Sequence, residues 1–99
     1  MAVSVLLTPE VEADILEAYA WYEGRRTGLG EDFLSSVEAC IERLRRQPEM
    51  CPVVYESFRR SLLRRFPYAV FYEYSDQTIT IYSVFHTSRD PNKWRQRLP

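Results

Sequence analysis

The segment that decides the fold spans residues 68–85 and reads YAVFYEYSDQTITIYSVF. Its two halves, Tyr68–Tyr74 and Thr78–Phe85, are rich in β-branched and aromatic residues and are apolar on both faces, as strands at the centre of a sheet are. The three polar residues between the halves predict a tight turn. We therefore expect a hairpin of two antiparallel strands in the middle of a β-sheet.

Two amphipathic helices precede this hairpin. Thr8 supplies a capping hydroxyl before a proline, and apolar residues at helical spacing follow it. A turn with three glycines at residues 24–30 ends the first helix. The second helix begins with acidic residues and ends with arginines, as the helix dipole favours. We expect the two to pack as an antiparallel helical hairpin over Pro9–Gln47.

Shorter β-rich runs lie at Val3–Leu7, before the helices, and at Val53–Tyr55 and Ser61–Arg65, before the central hairpin. The predicted order is β-α-α-β-β-β. This is an α+β fold: an antiparallel-dominated sheet of three or four strands carries the helical hairpin on one face, and the first strand pairs parallel to the last at the centre. The length favours a single domain over residues 1–99 with one core. That core should include Val5, Leu7, Ile15, Tyr19, Phe33, Val37, Ile41, Leu44, Val70, Tyr72, Ile79 and Ile81.

Composition and motifs exclude several classes of function. The longest apolar run near the start, Val5–Leu7, is far shorter than the roughly 20 residues of a membrane span, so we expect a cytoplasmic protein. Cys40 and Cys51 lack CxxC spacing and are interpreted as reduced thiols, and a single histidine cannot complete a multi-histidine metal site. Phosphate-loop, HExxH and GxSxG motifs do not occur. We therefore expect neither a metal nor a cofactor.

The charge is divided unevenly along the chain. Residues 1–50 hold five arginines against ten acidic residues, a balance of −5, whereas residues 51–99 hold eight basic residues against four acidic ones, a balance of +4. The C-terminal half is therefore where an anionic partner could bind. A solvated basic surface without a partner is an equally good reading of the charge alone.

A few polar residues of the C-terminal half could carry chemistry. His86 follows the last predicted strand, where it could act as a general acid or base or could merely cap the backbone. In an extended strand Arg60 and Arg64 would share one face and could clamp a phosphate. The alternative for these arginines is a charged strand that resists edge-to-edge association.

Several segments, taken together, resemble the RelE/ParE superfamily of toxins. Glu12–Tyr22 and Phe33–Glu38 resemble the N-terminal half of these toxins, Leu44–Pro48 the end of their second helix, and Phe66–Tyr74 and Ile79–Pro91 their last hairpin and signature. The resemblance covers nearly the whole chain. It implies the toxin component of a type II toxin–antitoxin system, neutralised by a cognate antitoxin.

The resemblance allows two activities, because RelE-like members cut mRNA on the ribosome without a metal and ParE-like members poison DNA gyrase. Ala69 follows Tyr68 here, where RelE-like endonucleases usually have an arginine, and the net charge of −1 is unlike their basic character. We therefore expect a gyrase inhibitor and not an enzyme. The alternatives are a metal-independent, ribosome-dependent mRNA endonuclease and a non-toxic homologue that only binds its antitoxin. The candidate target-binding residues are Arg60, Arg64, His86, Arg89 and Trp94, and the first four are also the catalytic candidates of a nuclease.

Overall fold

The structure, a computed structural model, describes residues 2–88 and 90–98. Its elements in chain order are β1 (Ser4–Leu7), α1 (Pro9–Arg25), α2 (Leu29–Arg46), β2 (Val53–Tyr55), β3 (Phe58–Leu62), β4 (Tyr68–Ser75), β5 (Thr78–His86) and α3 (Pro91–Arg97). The predicted α+β class and element order are confirmed. The sheet has five strands instead of the three or four predicted, because β2 and β3 both join it, and a short C-terminal helix follows β5.

The five strands form one sheet in the order β1-β5-β4-β3-β2. β4 and β5 pair antiparallel along their length, which confirms the predicted central hairpin. Asp76 and Gln77 adopt φ values of 52° and 58° in the turn between them, as a two-residue hairpin turn requires. β1 pairs parallel to β5 and ends with Leu7 opposite Ile81. The parallel pairing is confirmed, but its predicted central position is wrong, because β3 and β2 extend the sheet beyond β4 and leave β1 at an edge.

β3 also differs from its predicted range. The sequence predicts a strand over Ser61–Arg65, whereas the structure has Phe58–Leu62. Arg65 adopts a φ of 74°, a left-handed backbone conformation that does not continue an extended strand. Arg64 therefore lies in the loop between β3 and β4, and its predicted place beside Arg60 on one strand face is wrong.

The turn between α1 and α2 is held by a single carboxylate. Glu23 accepts hydrogen bonds from the backbone N–H groups of Gly28 and Gly30 at 2.9–3.1 Å, which satisfies amides that the start of α2 would otherwise leave unpaired. A Cβ atom on Gly30 would lie 2.9 Å from the ring of Tyr19 and from the Glu23 carboxylate. The glycine therefore permits the close approach of the two helices.

Both long helices pack on one face of the sheet, as predicted. Seven of the predicted core residues are buried there: Phe33, Val37, Leu44, Val70, Tyr72, Ile79 and Ile81. Val5, Ile15 and Ile41 pack against this cluster but are only partly buried. Two core predictions are wrong. Leu7 is 37% exposed because β1 is an edge strand, and Tyr19 is half-buried because its hydroxyl donates a 2.9 Å hydrogen bond to Glu31 at the surface.

The other face of the sheet is covered by α3. Side chains alternate along a strand, so Phe71 points away from its core neighbours Val70 and Tyr72. Trp94 of α3 stacks on Phe71 with ring centroids 4.3 Å apart and an angle of 15° between the ring planes. Asp90 caps α3 by accepting a 2.9 Å hydrogen bond from the N–H of Asn92. Within the described ranges, no helix is long and apolar enough to cross a bilayer.

Candidate functional site

His86 ends β5 in a fixed orientation. Its ring packs edge-on against Tyr68 of β4, with centroids 5.3 Å apart. Nδ1 accepts a 3.1 Å hydrogen bond from the backbone N–H of Ser88 and lies 2.8 Å from the Ser88 hydroxyl. Because a backbone N–H can only donate, Nδ1 is unprotonated in this arrangement, and the neutral ring carries its proton on Nε2. Nε2–H is therefore the group that His86 can offer to a partner.

An open groove of about 750 Å³ lies beside His86, between α1 and the end of β5. We call it the α1 groove, and most of its lining is aromatic or aliphatic: Ala18, Trp21, Tyr22, Pro67, Tyr68 and His86. The rings of Tyr22 and Tyr68 also contact each other, with centroids 6.1 Å apart, at the floor of the groove. A concave apolar surface with a few polar groups at its rim is the usual form of a binding site.

Asp14, at one end of the α1 groove, joins three elements. Its carboxylate makes a two-pronged ion pair with Arg97 of α3 at 2.9 and 3.2 Å and accepts a 3.2 Å hydrogen bond from the N–H of Val84 in β5. The Asp14 side chain is only 12% exposed. Asp14 is a site residue that the sequence analysis did not identify. Its spacing, three residues after Val11 and four before Ala18, places it beside the buried stripe and is the signal that could have found it.

A second surface, which we call the α3 surface, lies on the opposite face of the sheet and consists of Tyr55, Arg60, Trp94 and Arg95. Arg60 is exposed and pairs across the β3–β4 register with Phe71, the residue on which Trp94 stacks. Tyr55 meets Trp94 with ring centroids 6.3 Å apart, and the Arg95 guanidinium lies 5.4–5.6 Å from both rings. Arginines over aromatic rings give a basic surface with rigid apolar anchors.

The remaining arginines of this region have different surroundings. Arg59 is half-buried and donates to the backbone carbonyls of Glu49 and Cys51 at 3.0 and 2.6 Å, so it stabilises the loop before β2. Arg64 is exposed in the loop before β4, and its carbonyl accepts a 2.8 Å hydrogen bond from the hydroxyl of Ser36. Arg89 lies outside the described residues.

The structure does not gather the predicted site residues into one place. His86 is on the helix-covered face with Tyr68, whose ring contacts Tyr22 of α1. Arg60 and Trp94 are on the α3-covered face. A phosphate clamp that combines Arg60 with His86 as acid or base is therefore not formed. The target-binding roles of these residues remain predictions.

The buried side chains of Cys40 and Tyr72 contact other polar groups of the protein. Burial raises the pKa of the Cys40 thiol, whose Sγ lies 3.4 Å from the Ser61 hydroxyl. Burial likewise raises the pKa of Tyr72, whose hydroxyl donates a 2.8 Å hydrogen bond to the carbonyl of Pro48. A buried thiol of raised pKa is a poor nucleophile. Among the described residues, no group of three or more His, Cys, Asp or Glu side chains could hold a metal.

A helical hairpin on one face of a five-stranded sheet, with the α1 groove and the α3 surface on opposite faces, is the arrangement expected of a small toxin of the RelE/ParE superfamily. The chain matches over residues 5–91 the family described as the ParE toxin of the type II toxin–antitoxin system parDE, and it belongs to that family. Toxin ParE2 of Mycobacterium tuberculosis, strains CDC 1551 / Oshkosh and H37Rv, is 29% identical over 83 residues, which are 83% of this chain and 79% of the relative.

Two solved structures share the fold. A chain of the chromosomal ParDE toxin–antitoxin system from P. aeruginosa has a TM-score of 0.66 and 18% identity, with 87% of this chain and 97% of that chain covered. A chain of the toxin–antitoxin complex RelBE2 from Mycobacterium tuberculosis has a TM-score of 0.60 and 21% identity, with 87% and 99% covered. The predicted superfamily is thus confirmed.

Proposed function

We propose that this ParE-family toxin inhibits DNA gyrase in the cytoplasm, thereby arrests growth, and is neutralised by a cognate antitoxin. Membership of the parDE toxin family supports the antitoxin partner, as do the related folds from toxin–antitoxin systems. The observation that carries the choice of gyrase over mRNA is the separation of Arg60 from His86 by the thickness of the sheet. A surface that only binds a protein does not need Arg60 and His86 side by side. A phosphate clamp with an acid–base group does need them together.

The α3 surface has the composition of a protein-binding patch. Tyr55 is 39% exposed and Trp94 is half-buried, so both rings retain area that a partner could cover. Buried aromatic and arginine side chains dominate the energy of most protein interfaces. We therefore propose that gyrase contacts Arg60 and Trp94 together.

One observation favours the alternative, a ribosome-dependent mRNA endonuclease. Ser88 orients the His86 ring and leaves Nε2–H as the free donor, which suits a hydrogen bond to a phosphate oxygen. However, the position after Tyr68 is Ala69, which is 4% exposed and offers no cation. A nuclease site at His86 would need its phosphate-binding cation from another residue, such as Arg64.

A paired assay separates the two functions. The purified protein is added to gyrase supercoiling reactions and, in parallel, to ribosomes translating a defined mRNA. We expect inhibited supercoiling and intact mRNA. Arg60→Ala and Trp94→Ala should each weaken gyrase inhibition by roughly 5- to 150-fold, the equivalent of about 1–3 kcal/mol of contact energy.

The matched control is Arg46→Ala, which removes an exposed arginine at the end of α2 and should leave inhibition unchanged. Cleavage of ribosome-bound mRNA that disappears in His86→Ala, with gyrase unaffected, would contradict the proposal and support the nuclease. Loss of inhibition in Arg46→Ala as strong as in Arg60→Ala would show that net charge alone, not the α3 surface, governs binding.

A further inference from the structure

The two cysteines of the chain lie in one buried cluster, although they come from different segments. Cys40 is in the second half of α2 and is fully buried, whereas Cys51 is in the loop before β2 and is 9% exposed. Both side chains belong to the hydrophobic core. Both are free thiols, and the function proposed above uses neither of them.

Strand β3 holds both cysteines against the same face of the sheet. The Sγ atom of Cys40 lies 3.4 Å from the hydroxyl of Ser61. Two residues earlier in the strand, the guanidinium of Arg59 donates a 2.6 Å hydrogen bond to the carbonyl of Cys51. Residues two apart in a strand point to the same face, with their Cα atoms about 7 Å apart. Cys40 and Cys51 therefore contact neighbouring side chains of one strand face.

Tyr72 lies close to both thiols. It is paired with Arg59 across the β3–β4 register, and its hydroxyl donates a 2.8 Å hydrogen bond to the carbonyl of Pro48, three residues before Cys51. Burial raises the pKa of Tyr72, and the nearby thiols of Cys51 and Cys40 raise it further. Burial also raises the pKa of the Cys40 thiol, and the neighbouring Cys51 adds to that rise. The two thiols are thus neighbours of one hydroxyl and of each other.

We propose that Cys40 and Cys51 form a site of oxidative modification, at which a peroxide closes a reversible disulfide between α2 and the loop before β2. The new bond encloses residues 41–50. A disulfide restricts the unfolded chain more than the folded one, so the oxidised toxin should be the more stable form. The proposal does not depend on the target of the toxin.

The different exposure of the two thiols sets the order of the reaction. Hydrogen peroxide is small enough to reach Cys51 at the margin of the core, where the thiolate attacks the O–O bond, takes one oxygen as a sulfenic acid and releases hydroxide. The Cys40 thiolate then attacks the Cys51 sulfur and displaces a second hydroxide. Protons from the two thiols convert both hydroxides to water. Although its raised pKa makes Cys40 a slow nucleophile toward external reagents, the sulfenic acid is held beside it, and such proximity accelerates the second step.

Peptide mapping of the wild-type protein is the direct test. Trypsin, which cuts after Arg and Lys, places Cys40 in the peptide 27–43 and Cys51 in the peptide 47–59. The folded protein is treated with hydrogen peroxide, its remaining thiols are blocked with iodoacetamide, and it is digested. We expect the two peptides to be linked, with a mass about 2 Da below their sum because two hydrogen atoms are lost, and to separate after dithiothreitol. Oxidation of Met50 adds an oxygen to the second peptide and is distinguished by its mass.

Two variants test the order of the reaction with dimedone, a reagent that labels sulfenic acids. Cys40→Ala should retain the Cys51 sulfenic acid and be labelled on the peptide 47–59. Cys51→Ala is the matched control and should be labelled at least about tenfold less, because Cys40 is fully buried. Circular dichroism checks that each variant is folded. The wild-type map needs no substitution, so it decides the proposal even where a variant does not fold.

Thermal melts test the effect on stability. The oxidised wild-type protein should melt at least about 5 °C above the same sample reduced with dithiothreitol. Separate, fully alkylated peptides after peroxide treatment, a disulfide between two copies of the chain, equal dimedone labelling of the two variants, or a lower melting temperature of the oxidised protein would each overturn the proposal. No arm of this test involves gyrase or RNA, so its outcome and that of the gyrase assay are independent.

Discussion

Replacement of Asp14 by alanine tests whether one carboxylate joins three elements of the fold. The variant removes both prongs of the ion pair with Arg97 and the acceptor of the Val84 N–H. The Asp14 side chain is 12% exposed and that of Arg97 is 24% exposed, so the pair is shielded from water but not fully buried.

The expected loss follows from these contacts. An unsatisfied backbone N–H costs about 1–3 kcal/mol. Removal of one partner of a fully buried ion pair costs about 3–5 kcal/mol, and partial exposure of Arg97 reduces that figure because water can solvate the orphaned guanidinium. We expect Asp14→Ala to lower the free energy of unfolding by about 2–3 kcal/mol, a large share of the roughly 5–15 kcal/mol that a small domain has. Arg97→Ala should cost about 1–3 kcal/mol, because it leaves the Asp14 carboxylate without its cation while Asp14 still accepts from the Val84 N–H.

Urea unfolding, followed by circular dichroism, measures both losses, and the double variant gives the coupling between the two residues. Glu38→Ala, at an exposed position of α2, is the control and should change stability by less than about 0.5 kcal/mol. A loss below about 0.5 kcal/mol in Asp14→Ala would refute the reasoning, since it would mean that neither the Val84 amide nor the Arg97 guanidinium depends on this carboxylate.

Three further experiments probe the core and the helix turn. Gly30→Ala should destabilise the protein by about 1–3 kcal/mol, because the added Cβ overpacks against α1. Gly24→Ala should stabilise it by about 0.4–1 kcal/mol, because a Cβ there meets nothing within 4 Å. Equal effects of the two variants in thermal melts would contradict the close approach of the helices at Gly30. Leu44→Ala, at a fully buried position, should cost about 2–5 kcal/mol, and Ile41→Ala should cost less in the same denaturation assay because Ile41 is only partly buried. Burial raises the pKa of the Cys40 thiol, so less thiolate is present near pH 8. Reaction of Cys40 with a thiol reagent should therefore be slow until the protein is unfolded. Rapid reaction of Cys40 in the folded protein would show that the thiol is accessible.

The elements with strong local signals could be predicted from the sequence. The capping hydroxyl of Thr8 accepts a 3.3 Å hydrogen bond from the N–H of Val11, as its place before a proline predicts. The hairpin of β4 and β5 follows from two long β-rich runs around one short turn. These features depend on residues close together in the chain, so the pattern of the chain itself encodes them.

Features that join distant residues were missed. Asp14 and Arg97 are 83 residues apart, and nothing in the neighbourhood of either predicts the other. α3 docks on Phe71, which lies on the face of the sheet opposite α1 and α2. A continuous apolar run in the sequence does not show which of its residues point to which face. β3 lies earlier in the chain than predicted for a related reason. Arginines flank Ser61–Leu63 on both sides, so the sequence does not show that the strand ends before Arg65, which has a left-handed backbone conformation. Assignment of Arg60 and His86 to opposite faces therefore needed the structure.

The pairing of β1 with β5 has a consequence for synthesis of the protein. Ser4 finds its partner in Thr78, 74 positions later in the chain. At a translation rate of about 5–20 residues per second, β1 has no strand to pair with for roughly 4–15 s after it is made. The helical hairpin depends on local contacts and can form during this interval, but the sheet that carries the α1 groove and the α3 surface cannot be completed. Folding of the sheet is therefore completed only after β5 has been made.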